Sequence, residues 1–194
     1  MVAAAGALAF AGVASGPANA AVAGDGTTNV TVTSGTGTMY MVKDYVRHMA
    51  AQDIKMAPID PQSTAVAQTF TTTIYSATGG DADLSTFTGA VQYYGGTLVT
   101  NTVTGQQVEL NALKYDVADG YLYYTVTNYN NISIDAMYMG GTQSVTINGD
   151  VQTYRASELL VSADMASQLD TVLSTNAFHA GDVMGSWETT FTVG

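Results

Sequence analysis

Two histidines, His48 and His179, are the residues of this chain best suited to moving a proton or binding a metal. An imidazole titrates near neutrality and offers two distinct ring nitrogens. His48 lies among polar residues at helical spacing and His179 in a glycine turn before the last apolar run, so each reads as a solvated surface side chain. The stretch "GGDADLS" sets Asp81 and Asp83 two apart in a turn, and alternate carboxylates in a turn supply two or three of the roughly 6 to 8 oxygens that calcium takes. No full calcium-loop pattern surrounds them, and ordinary turn chemistry accounts for the same residues. Calcium at Asp81 and Asp83 is therefore the one cofactor considered, and otherwise none is expected. Other carboxylates are scattered singly, and no GxSxG, phosphate-binding loop, HExxH or dinucleotide fingerprint occurs. No catalytic residue is named, and the chain reads as a protein other than an enzyme.

Composition narrows the partners. The chain of 194 residues holds no cysteine, so disulfides, zinc thiolates and cysteine nucleophiles are excluded. Five basic residues against sixteen acidic ones give a net charge of -11, which opposes binding to phosphate backbones and to anionic membrane surfaces. No nucleic acid and, in the mature form, no lipid membrane is expected as a partner. Two N-x-S/T sequons, at Asn29 and Asn131, would carry glycans if the chain is exported.

The elements that must position these residues are mostly strands. Twelve tyrosines, abundant threonine and valine, and glycine punctuation favour strands joined by turns. The spacing predicts a mainly β fold, an immunoglobulin-like or jelly-roll β-sandwich with one or two short helices and an N-terminal extension. Residues 1–24 form an apolar arm or signal-like segment, and residues 25–194 form the sandwich domain. The stretch "DGTTNVTVTSGTGT" reads as a turn, a short strand with Val30 and Val32 on one face, and a flexible glycine-threonine tether. A helix is expected over about residues 39–54, with Met39, Val42, Val46, Met49 and Ala50 as its apolar stripe, ended by Pro58 and Pro61. Strands are then expected to the end of the chain. Asn148-Gly149 marks the sharpest hairpin, Ser162 is the N-cap of a second helix, and Trp187, Thr189, Phe191 and Val193 share one face of the last strand.

In the opening segment Ala18-Asn19-Ala20 fits a signal-peptidase site, but no lysine or arginine precedes the apolar run. Leu8 and Phe10 instead fall on one face of a two-residue alternation, with Val2 and Val13 flanking, as in a strand that fills a groove. The stretches "DGYLYYTVTNYNNISIDAMYM" and "FHAGDVMGSWETTFTV" resemble the C-terminal part of archaeal surface-filament and camelysin/TasA-like fibre subunits. The matching elements are Val126 to Asn128 and the Gly181-Asp182 turn. That resemblance implies an extracellular, cell-surface subunit of a pilus-like or biofilm filament, a homopolymer whose partner is itself. Polymerisation would proceed by donor-strand complementation through Val2, Leu8, Phe10 and Val13. The alternatives are a secreted monomeric binding or adhesion β-sandwich domain with a cleaved signal, or a phage tail-tube or capsid-decorating protein.

Overall fold

The computed structural model describes residues 30–67, 70–129 and 131–194. The arm residues Val2, Leu8, Phe10 and Val13 and the sequon residue Asn29 lie outside them. In chain order the elements are β1 Val32–Val42, α1 Lys43–Ala51, β2 Ile54–Ile59, β3 Ser63–Val66, β4 Phe70–Gly80 and β5 Ala90–Tyr93. There follow β6 Gly96–Asn101, β7 Gln107–Asp116, β8 Tyr121–Val126, β9 Ile132–Asn148, β10 Val151–Val161, α2 Ala163–Leu173 and β11 Val183–Val193. The mainly β expectation with two short helices holds, and the strands go further: they close on themselves.

The wall runs β7-β5-β4-β1-β11-β10-β9-β8 and returns to β7, an eight-stranded antiparallel barrel. Closure leaves side chains alternating between interior and outside along every strand. From β11 the predicted face of Trp187, Thr189 and Phe191 points inward and is buried. Leu122, Tyr124 and Val126 of β8 do the same. In β7 the buried residues run Val108, Leu110, then Leu113 and Tyr115, a break in the alternation that falls on Ala112 at φ +50° and on a shift in the β7–β8 register. The extra residue resets the strand so that both halves face the core.

Large aromatics fill the interior. Tyr93 meets Trp187 edge-on with ring centres 5.6 Å apart, and Tyr115 stacks on Tyr154 at 5.3 Å. Their hydroxyls find partners where they can: Tyr93 Oη and Thr189 Oγ1 are 2.5 Å apart, and Tyr154 Oη donates to Gln143 Oε1 at 2.8 Å. A buried phenol needs such a partner to offset its lost hydration. α2 lays Met165, Ala166, Leu169 and Leu173 into the core, with the Ser162 hydroxyl accepting the Met165 N–H at 2.9 Å as its predicted cap.

The wall is incomplete at one place. β5 joins β4 to β7 only near their C-terminal ends, at Ala77–Gly80 and Lys114–Asp116. Nearer their N-terminal ends β4 is bordered by β3, and β7 by β6 and then β2. β2 and β3 follow one another in the chain but do not pair, so a wedge opens between them.

Three expectations are corrected here. Residues 39–42 belong to β1 rather than to the helix, since Met39 is paired to Trp187 on one side and Thr73 on the other. "MYMV" suits both a helical and a strand period, and two flanking strands decide between them. The glycine-threonine segment is likewise a strand in the barrel wall, bonded to β11 and β4, and not a tether. Residues 54–59, expected as the end of a helix and a proline break, form an outer strand, where Pro58 is tolerated. No helix among the described residues is long and apolar enough to cross a membrane.

Candidate functional site

The end of β1 and the start of β11 lie side by side, with Met41 opposite Gly185. From β1 the chain turns straight into α1, and into β11 it arrives from the loop that follows α2. That loop is tightly latched. The Phe178 N–H bonds to Asp170 Oδ1 at 3.2 Å, the Gly181 N–H to the Val161 carbonyl at 2.8 Å, and the Val161 N–H to the Asp182 carbonyl at 3.0 Å. Gly181 sits at φ +87°, a conformation that glycine adopts without strain. With Ala177 and Phe178 buried beneath, the turn projects His179 outward, its Nδ1 3.5 Å from Asp182 Oδ2.

Across from it, α1 presents Tyr45 and His48 on one face, three residues and one helical turn apart. Val42, Asp44, Tyr45 and His48 from the β1–α1 side and His179, Asp182 and Val183 from the other line one open pocket of about 490 Å³. Both histidines of the chain thus reach a single site, against the expectation of two unrelated surface side chains. Tyr45 and Val183 carried no mark in the sequence. The one available signal was the three-residue spacing of Tyr45 and His48.

Tyr45 is 6% exposed and its hydroxyl is buried with no hydrogen-bond partner. Such an orphan costs about 1 to 3 kcal/mol of desolvation. Burial, with the carboxylates of Asp182 and Asp170 adding to it, pushes its ionisation well above the ordinary phenol range. Tyr45 is thus a neutral phenol whose hydroxyl is buried in the wall of the pocket. α1 also carries Lys43 and Arg47, the latter paired with Asp44, but neither lines the pocket.

No three residues among histidine, aspartate and glutamate come together to hold a bare metal ion among the described residues. The pocket instead offers a phenol, two imidazoles and apolar walls at Val42 and Val183. That set suits a ligand which brings its own metal or its own acceptors.

The other predicted residues serve the fold. Asp81 Oδ1 accepts the Ala90 N–H at 2.9 Å, while Asp83 Oδ1 accepts the Ser85 N–H at 2.8 Å and Gln152 Nε2 at 3.2 Å. Partial burial raises the Asp83 carboxyl, but bonds from Ser85, Gln152 and Thr86 outweigh it and hold it below its usual range. Asn131 is exposed at φ +52° in the turn between β8 and β9. Asn128 ties the end of β8 to β7, donating to the Gln107 carbonyl at 2.7 Å and accepting the Glu109 N–H at 3.1 Å.

No family model and no curated protein sequence matches the chain. Among solved structures it is similar to the C-terminal domain of HtaA from Corynebacterium glutamicum, with a TM-score of 0.57 and 10% identity over 85% of this chain and 99% of that one. It is also similar to the heme binding protein HtaB of the same organism, with a TM-score of 0.46 and 11% identity over 85% of this chain and 95% of that one. The described residues are a closed β-barrel domain with the fold of the HtaA C-terminal domain.

These findings correct two expectations. The fibre reading, with itself as partner through a donated strand, gives way: among the described residues the β7–β8 pairing closes an eight-stranded barrel, and the solved structure alike in fold is named as a domain of HtaA rather than as a pilus or fibre subunit. Calcium at Asp81 and Asp83 gives way because both carboxylates are spent on backbone and side-chain bonds of their own turn.

Proposed function

We propose that this chain is an extracellular, cell-surface binding domain that holds haem in the pocket between α1 and the turn before β11. The observation that carries the reading is one pocket lined by both histidines and by Tyr45, whose hydroxyl is buried and without a hydrogen-bond partner. Haem iron takes tyrosine or histidine as an axial ligand, and haem is the ligand in the name of HtaB. The residues present fit such a group. Tyr45 and His48, one turn apart on α1, and His179 would hold it. Val42 and Val183 would supply apolar contact for a macrocycle. A volume of about 490 Å³ lies within the usual ~300–1,000 Å³ of ligand pockets. When bound, the group would supply a redox-active iron centre; the chain's part is to select, orient and partly shield it. The exposed Asn131 sequon accords with a cell-surface setting.

Titration with haemin, followed by the Soret band, tests the reading. One equivalent should bind saturably, and Tyr45→Phe should weaken binding by about tenfold or more. The same variant deletes an unsatisfied buried hydroxyl, so the ligand-free protein should be at least as stable as the wild type in urea. His179→Ala should weaken binding with little change in stability, because that side chain is largely exposed. Haemin uptake that is unsaturable, or equal in the wild type and both variants, would sink the proposal.

A further inference from the structure

Residues of β1 and β4 on one side and of β2 and β6 on the other line a second, smaller cavity of about 70 Å³ that has no part in the pocket above. Three methionines line it: Met39 and Met41, two residues apart on β1, and Met56 on β2. They are three of nine methionines in the chain, drawn to one place by strands distant in the sheet order. Val46 of α1 and Pro58 also line it, and no charged side chain is among the lining residues. Methionine ordinarily fills gaps in a core; Met39 is buried there, with Met41 and Met56 half-buried against it, and all three also border this space. Four hydroxyl-bearing residues also line it: Thr71, Thr73, Tyr75, whose Oη donates to the Gly96 carbonyl at 3.1 Å, and Thr97, whose Oγ1 lies 3.4 Å from Tyr124 Oη. Thioether sulfurs are left as the soft donors of the cavity.

Size and donor type together define the ligand. The cavity falls well below the roughly 300 Å³ at which organic ligand sites begin, yet it exceeds the ~10–15 Å³ of probe-occupied volume that one water requires. Neutral thioethers select soft cations over calcium, magnesium or zinc. We propose that Met39, Met41 and Met56 form a binding site for a soft monovalent cation of the Cu(I) class.

The test is anaerobic Cu(I) titration of the full chain against a chromophoric Cu(I) chelator, with Ag(I) as a redox-inert second probe. In methionine-methyl NMR, one equivalent of Ag(I) should shift the methyls of Met39, Met41 and Met56 and spare Met165 and Met184. Met41→Leu and Met56→Leu conserve volume at half-buried positions, and each should lower Cu(I) affinity by about tenfold or more. Tyr45→Phe should leave Cu(I) binding unchanged, so failure here and failure of the haem reading are separate results. No competition with the chelator, methyl shifts scattered over other methionines, or full affinity in the Met41→Leu/Met56→Leu double variant would overturn the site.

Discussion

At Gly37 the absence of a side chain lets the Trp187 indole lie directly against the backbone of β1. A Cβ there would collide with the Trp187 ring and come within 2.8 Å of Tyr93 Cε1. Both rings are buried and fixed, Trp187 at 1% exposure and Tyr93 at 3%, so neither can move aside without opening the core. Gly37→Ala should therefore cost about 1 to 3 kcal/mol as an overpacked core position, read as a lower urea midpoint with an unchanged slope. An unchanged midpoint would mean that the indole does not pack on β1 as described. The same indole carries a buried Nε1 with no hydrogen-bond partner. That orphan is surrounded by aromatic and apolar neighbours, whereas the Tyr45 hydroxyl belongs to a residue of the pocket wall. The contrast makes Tyr45 the more informative residue for binding.

At the scale of elements, the two helices are held differently. α2 begins at Ser162, whose hydroxyl accepts the Met165 N–H and donates to the Asp135 carbonyl, linking the helix to β9. It closes at Ser174 in a left-handed conformation at φ +52°. α1 has no side-chain cap, because its N-cap position is Val42, the last residue of β1. Its place is set by the buried Tyr45 and Met49 and by the strand that feeds it. Ser162→Ala should cost about 1 kcal/mol through the lost cap, measurable by thermal or urea unfolding. Because the turn carrying His179 is bonded to Asp170 of α2 and to β10, the variant should also loosen that side of the pocket and reduce haemin affinity. Full stability in Ser162→Ala would show that tertiary packing alone holds α2 in place.

The barrel as a whole is filled with tyrosine, and this makes its stability sensitive to alkali. Burial raises the ionisation of Tyr75, Tyr93, Tyr115 and Tyr124 above the ordinary phenol value, and pushes Tyr154 up to about 12. In the unfolded chain these phenols ionise near 10. Below that pH both states hold the protons and the full stability is present. Above it the unfolded chain releases protons that the barrel retains, so stability falls as pH rises. The urea midpoint should be flat through mild alkali and drop steadily above about pH 10. Absorbance of the tyrosinate band should show the buried set ionising only as the protein unfolds. Titration of all twelve tyrosines near their ordinary value in the folded protein would contradict this interior.

Much of the local structure was legible in the residues. The Asn148-Gly149 hairpin, the Ser162 cap, the stripe of α2 and the inward face of β11 follow from turn chemistry, capping and period-two alternation, which act over a few residues. The sequence misled where one local pattern suits two structures. "MYMV" fits helix or strand, and "GTGT" reads as a flexible tether although its glycines make room for Trp187 and Phe191. Barrel closure, the methionine-lined cavity beside β2 and the gathering of His48 and His179 on one pocket were not legible at all. Each depends on strands distant in the chain coming into register, and no short-range spacing encodes that. Composition and periodicity determined a mainly β chain with two helices and a tyrosine-rich core. The tertiary structure alone decided where its few reactive side chains gather, because residues 48 and 179 come to line one pocket only once the strands between them have paired.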